Sequence, residues 1–160
     1  MDRSFPTRES QIAPKNSWAS PVSITRMMQT VVGRYAQKIR QKNLNIELDL
    51  APIQAKVDQR IIDQALCLLI EYAIEKSPNG GEVDITLVDS DDQWELEIAD
   101  SRIEFEQMPV LDRNEIRLYD ARRAAKKHGG LVRSFLCPQG GTANSLVIPH
   151  KDLQIGPISD

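Results

Sequence analysis

Apolar and polar positions along this chain repeat with two periods. From Pro21 to Lys42, Ile24, Met27, Met28, Val31, Val32, Tyr35 and Ile39 recur every three to four residues, the spacing of one helical face. The pattern predicts a single amphipathic helix with Pro21 in its first turn and Asn43 as its stop. LNIELDL (44–50) alternates with period two, as a half-buried strand does. Ala51-Pro52 breaks it, and IQAKV (53–57) reads as a second short strand. Asp58 is a suitable N-cap for the next segment. There Ile61, Ile62, Ala65, Leu66, Leu68, Leu69, Ile70, Ala73 and Ile74 make an apolar face wide enough to predict a buried helix. Ser77-Pro78-Asn79-Gly80-Gly81 ends that helix. EVDITLV (82–88) and WELEIAD (94–100), joined across SDDQ, predict a hairpin.

Residues 101–114 lack periodicity and read as a loop. EIRLYDARRAAKKH (115–128) predicts a second amphipathic helix, with Ile116, Leu118 or Tyr119, Ala121 and Ala125 inward and Gly129-Gly130 as its cap. LVRSFLC (131–137) and ANSLVIP (143–149) are predicted strands joined by PQGGT. Helices interspersed with strand pairs predict an α+β fold: a two-layer α/β sandwich with a mixed, mostly antiparallel sheet and helices on one face. The expected domain spans 21–150. Residues 1–20 and 151–160 are polar, aperiodic tails, with Trp18 expected to rest on the domain.

Composition narrows the function. The 160 residues suit one domain, and the net charge is −3. That charge gives no basic excess for nucleic-acid binding, and RRAAKK (122–127) reads as the solvated face of a helix without interleaved aromatics. No apolar run reaches the ~18 residues of a membrane span. The first residues hold no apolar segment of a leader, so the expected location is cytoplasmic. Cys67 and Cys137 each sit in an apolar run and are expected to be buried packing thiols, not a disulfide or metal framework.

The segments LLIEYAIEKSPNGGEV, WELEIADSRIEF, IRLYDARRAAKKHGGLV and QGGTANSLVIP follow one another in a telling order. Their order and spacing, over about residues 31–149, resemble the ATP-binding domain of sensor histidine kinases, in the histidine-kinase-like ATPase group (GHKL, Bergerat fold). The resemblance implies where nucleotide chemistry would lie. In active members an Asn-Ala pair supplies a magnesium ligand, and here Tyr72 precedes Ala73. A phenol is a poor ligand for a hard divalent cation, and the adjacent Glu71 points about 100° away around the helix. The family's D-x-G-x-G stands here as Asp100-Ser101-Arg102-Ile103-Glu104. Asp100 occupies the position that accepts from the adenine amino group, and Arg102 and Glu104 replace both glycines. The glycine-rich lid aligns with Glu115-Ile116-Arg117-Leu118, again without glycine, whereas Gly140-Gly141-Thr142 is retained. Tyr72, Asp100, Arg102, Glu104, Gly141 and Thr142 are therefore expected to be vestigial nucleotide-pocket positions. If the cleft is filled, Tyr72, Arg102 and Glu104 are the residues to fill it. No catalytic residue, metal or cofactor is expected.

Of the two histidines, His128 falls in the family's HGG helix end and His150 follows the last strand. Neither lies on the 21–42 helix, and the family's dimerisation unit is a two-helix hairpin. The expectation is a chain that is not by itself a complete autophosphorylating kinase. One reading is a degenerate ATPase-fold module, a pseudokinase, that binds a protein partner such as a kinase or response regulator in bacterial-type signal transduction. Its contact surfaces would be the old cleft or the Met27, Met28 and Val31 stripe, with a homodimer through the N-terminal helix. The same stripe reads equally well as core. The alternative is a divergent ATP- and magnesium-dependent protein kinase, of histidine-kinase or anti-sigma-factor type, phosphorylating a separate partner. It would use Asp100 for adenine and Glu71 or Glu75 for the metal. A third reading puts another anion in the cleft, held by Arg102 and Arg117.

Overall fold

The computed structural model describes residues 20–101, 113–138 and 140–150. The expectations for the two tails, Trp18, Arg102 and Glu104 lie outside these residues.

The chain begins with β1 (Val22–Ser23), which pairs antiparallel with β3 (Gln54–Ala55). Only these two residues of the expected 53–57 strand are in ladder geometry. Ser23 caps α1 (Ile24–Arg34), its Oγ accepting from the Arg26 N–H at 3.1 Å, so the helix starts three residues after Pro21. The single helix predicted over 21–42 is broken. Tyr35 (φ −102°, ψ 14°) separates α1 from the short α2 (Ala36–Gln41). The break follows Gly33 and the β-branched pair Val31-Val32, a stretch of low helix propensity. Asn43, in the left-handed region at φ 55°, ends α2 as expected. Its N–H bonds to Arg40 O and that of Leu44 to Ile39 O, which makes a Schellman cap.

Asp58 caps α3 (Gln59–Lys76) by accepting from the N–H groups of Arg60 and Ile61. At the other end Lys42 places its ammonium on the carbonyls of Ile74 (2.7 Å) and Ser77 (2.6 Å), where the helix dipole favours a cation. The main sheet has the order β2-β4-β5-β7-β6, from β2 (Asn45–Leu50), β4 (Glu82–Asp89), β5 (Gln93–Asp100), β6 (Leu131–Leu136) and β7 (Thr142–Pro149). β2 and β4 are parallel, joined by the α3 crossover, and every other pair is antiparallel. The architecture is thus α+β, with a mixed sheet covered by helices on one face.

Register explains the core. Val83, Ile85 and Leu87 align with Asp100, Ile98 and Leu96 on β5, and Leu96 and Trp94 align with Leu146 and Ile148 on β7. This apolar face packs under α1, α3 and α4 (Arg113–Lys126). Ile24, Met27, Met28 and Val31 are all buried in that core. The methionine stripe offered as a docking or dimer face is therefore internal, and the outer side of α1 is polar. On α4 the inward stripe is Leu118, Ala121 and Ala125. Ile116, expected inward, is 63% exposed, and of the two alternatives Leu118 and Tyr119 the helix buries Leu118 and leaves Tyr119 58% exposed, because the stripe through 118, 121 and 125 holds neither 116 nor 119. Cys67 and Cys137 are half-buried free thiols, a correction to the buried placement expected from their apolar neighbours.

Candidate functional site

The sheet and its turns place Asp100 first. It is the last residue of β5 and is buried, although charged. Burial of a carboxylate is costly unless its oxygens are bonded. Thr142, the first residue of β7, meets that need. Its N–H donates to Asp100 Oδ1 at 3.2 Å and its Oγ1 to Oδ2 at 2.8 Å. The Gly140-Gly141 turn delivers Thr142 to this position. Gly141 has φ 89°, a conformation that side chains resist, and its carbonyl accepts from the Cys137 N–H. So the structure brings together three of the six predicted positions: Asp100, Gly141 and Thr142. It adds one that sequence reading took for packing. Cys137 lies close enough that Asp100 acts on it: the thiol is pushed up from its ordinary value, first by burial and then by the Glu97 and Asp100 carboxylates.

Tyr72 comes from the last turns of α3, which packs on β5. It is buried within the main hydrophobic cluster, and the Lys76 ammonium lies 5.8 Å from its ring centroid, a cation–π contact. Its ring is thus part of the packing between α3 and the sheet. Both nearby acids have partners. Glu71 faces Tyr35, whose phenol is pushed up to about 12 by burial, then by Cys67 and Glu71. Glu75 is taken by Arg117, whose Nη2 donates to its Oε1 at 3.1 Å. The two residues that sequence reading assigned separately, one to metal and one to an anion, are thus partners across the α3–α4 contact. The other guanidinium nitrogen, Nη1, is buried and has no hydrogen-bond partner among the described residues. Among the described residues no group of three or more His, Cys, Asp or Glu could hold a metal ion.

The histidines have structural surroundings. His128 is fully buried. Its Nε2 accepts from the Asp58 N–H at 2.9 Å, so the proton sits on Nδ1, which donates to Ala124 O. The ring ties the end of α4 to the start of α3. His150 Nε2 pairs with Asp89 at 2.8 Å at the hairpin end. No helix among the described residues is long and apolar enough to cross a membrane.

No protein-family model matches the sequence, and no curated protein matches it. Solved structures do match. The catalytic domain of histidine kinase ThkA superposes with a TM-score of 0.73 at 19% identity, over 82% of this chain and 96% of that one. The mycobacterial sensor histidine kinase MprB gives 0.69 at 23%, over 81% and 96%. The cytoplasmic segment of histidine kinase QseC gives 0.65 at 18%, over 94% and 98%. ThkA in complex with the response regulator TrrA also matches, at 0.68 and 18%, over 82% of this chain and 41% of that one. The chain has the fold of a histidine-kinase ATP-binding domain.

Proposed function

We propose that this chain is a histidine-kinase-type ATPase fold that no longer binds Mg-ATP and works as a protein-binding, regulatory component of bacterial-type signal transduction. The observation that carries the reading is Tyr72. Its ring is packed in the core at the position where the resembled family places a magnesium ligand. The Arg117–Glu75 pair supports it further, since it engages an acid that could have replaced that ligand and puts a bulky cation at a lid-glycine position. A response regulator is one fitting partner class, as the ThkA–TrrA complex illustrates for a chain of the same fold.

A second reading rests on different observations. Asp100 remains buried and held by Thr142, and Arg117 Nη1 is a donor without an acceptor among the described residues. Both fit a cleft that takes a nucleotide or another anion, as a divergent kinase acting on a separate partner would. Titration with ATP and ADP, with and without magnesium, separates the two readings.

A further inference from the structure

β6 is the edge of the sheet beyond β7. Leu131, Phe135 and Leu136 on it are 47%, 45% and 62% exposed. Soluble proteins usually blunt or cover so apolar an edge, because its outer N–H and C=O groups are a template for another strand. The neighbouring helix adds a charged wall. Between α4 and β6 runs a groove of about 420 Å³ whose lining includes Tyr119, Arg122, Arg123, Lys126, Leu131 and Val132. Among the described residues no carboxylate lines it. Asp120, the described acid of this helix, lines a different groove with Ile61, Gln64 and Leu68 of α3.

We propose that the β6 edge and this groove dock an acidic, extended segment of a partner protein, added to the main sheet as a further strand. The register defines its pattern. Leu131, Arg133 and Phe135 align with Val147, Ser145 and Ala143 on one face of the sheet, while Val132, Ser134 and Leu136 align with Leu146, Asn144 and Thr142 on the other, where Leu146 joins the core. An added strand that alternates in the same way sets apolar side chains against Leu131 and Phe135. Its opposite side chains lie toward α4, where carboxylates meet Arg122, Arg123 and Lys126. Main-chain bonds supply affinity and the alternating side chains supply selectivity. Charge decides between occupants. A second copy paired through the same edge would set two sets of these three cations along one seam. A nucleic acid would meet three cations, an apolar strand edge and a chain of net charge −3. The proposal rests on the reading of the chain as a partner-binding module and gives that module its surface.

The test uses the full chain and a labelled peptide alternating valine and glutamate, with the valine–lysine peptide as control. Fluorescence anisotropy measures binding, and amide NMR shifts locate it. The expected result is binding of the glutamate peptide alone, with shifts centred on residues 131–136. Arg122→Glu/Lys126→Glu should weaken it by about tenfold or more and admit the lysine peptide. Leu136→Glu, at an exposed position, should weaken it as well. The proposal is overturned by no binding at millimolar peptide, by equal binding of both peptides, or by shifts confined to the Tyr72–Asp100 region. An oligothymidylate that displaces the peptide would assign the groove to nucleic acid instead. A dimer that dissociates on dilution with β6 shifts would assign it to a second copy. Nucleotide titration leaves β6 untouched, so this proposal and the loss of Mg-ATP binding fail independently.

Discussion

Arg117 of α4 and Glu75 of α3 form an ion pair at 3.1 Å, with the Arg117 side chain 17% exposed and that of Glu75 42% exposed. Glu75 lies three residues beyond Tyr72, and therefore on the same side of α3. The last turns of α3 thus hold a buried phenol and an acid engaged in an ion pair, and the proposed loss of magnesium binding rests on both. One substitution should not undo both. Tyr72→Asn is expected to lower stability by about 3 kcal/mol through loss of a buried aromatic. It should confer no magnesium-dependent ADP binding. Thermal denaturation and calorimetric titration of the variant check the two statements together.

Asp100, Thr142 and Cys137 should respond as a unit. Thr142→Val removes the hydroxyl that serves Asp100 Oδ2, and a buried carboxylate losing a bond costs about 1–3 kcal/mol. Asp100→Asn removes one of the negative charges that hold the Cys137 thiol protonated. Its pKa should fall, though burial, the larger cause, keeps it above the ordinary value. In a Cys67→Ser background, reaction with a disulfide reagent at pH 8 should be slower than for a free thiol, and faster in Asp100→Asn than in its parent.

Gly130 follows the end of α4 with no room for a side chain. A Cβ there would stand 2.0 Å from Val147 O and 2.9 Å from Ile148 Cδ1. The backbone oxygen belongs to β7, which is paired on both sides, and cannot yield cheaply. Gly130→Ala should therefore cost about 3 kcal/mol or more, at the upper end of overpacking effects. Gly33→Ala, with open space around the new methyl, should be neutral or stabilising in the same denaturant unfolding experiment.

Tyr35 gives the fold a dependence on alkaline pH. Its phenol titrates near 12 in the folded chain, raised from 10 by burial and by Cys67 and Glu71. The folded state favours the protonated form. The resulting stability is fully present below the unfolded pKa near 10 and is lost as pH rises through about 12. Phenolate absorbance, read as the difference between the native chain and Tyr35→Phe, should show a component near 12. A component at 10 would refute the assignment.

Much of the architecture was legible because period and caps agree. Asp58 as N-cap, Asn43 as stop and the 82–100 hairpin all stand as read. Where one residue decided between neighbours, pattern was not enough. The helix break at Tyr35 depends on backbone geometry after Gly33, and Ile116 and Tyr119 face outward because packing chose Leu118. At the site, Tyr72, Asp100, Gly141 and Thr142 were found from the resemblance and its motifs. The Arg117–Glu75 pair joins residues forty-two apart, and the influence of Asp100 on Cys137 crosses from β5 to the β6–β7 turn. Such contacts are set by strand order, which local periodicity does not encode. Similarly, β6 read as an ordinary strand, and only its place at the sheet edge made its apolar residues notable.

The proposed loss of Mg-ATP binding is tested most directly by a thermal-shift titration of the full chain with ATP and ADP, with and without magnesium. A nucleotide at a hundred times its dissociation constant would add about 2.7 kcal/mol, easily visible in a domain of this size. The predicted result is no shift at millimolar nucleotide under either condition. A magnesium-dependent shift that disappears in Asp100→Asn would contradict the account and make the chain a nucleotide-binding kinase domain. A magnesium-independent shift lost in Arg117→Ala would also contradict it, and would place an anion on Arg117 Nη1.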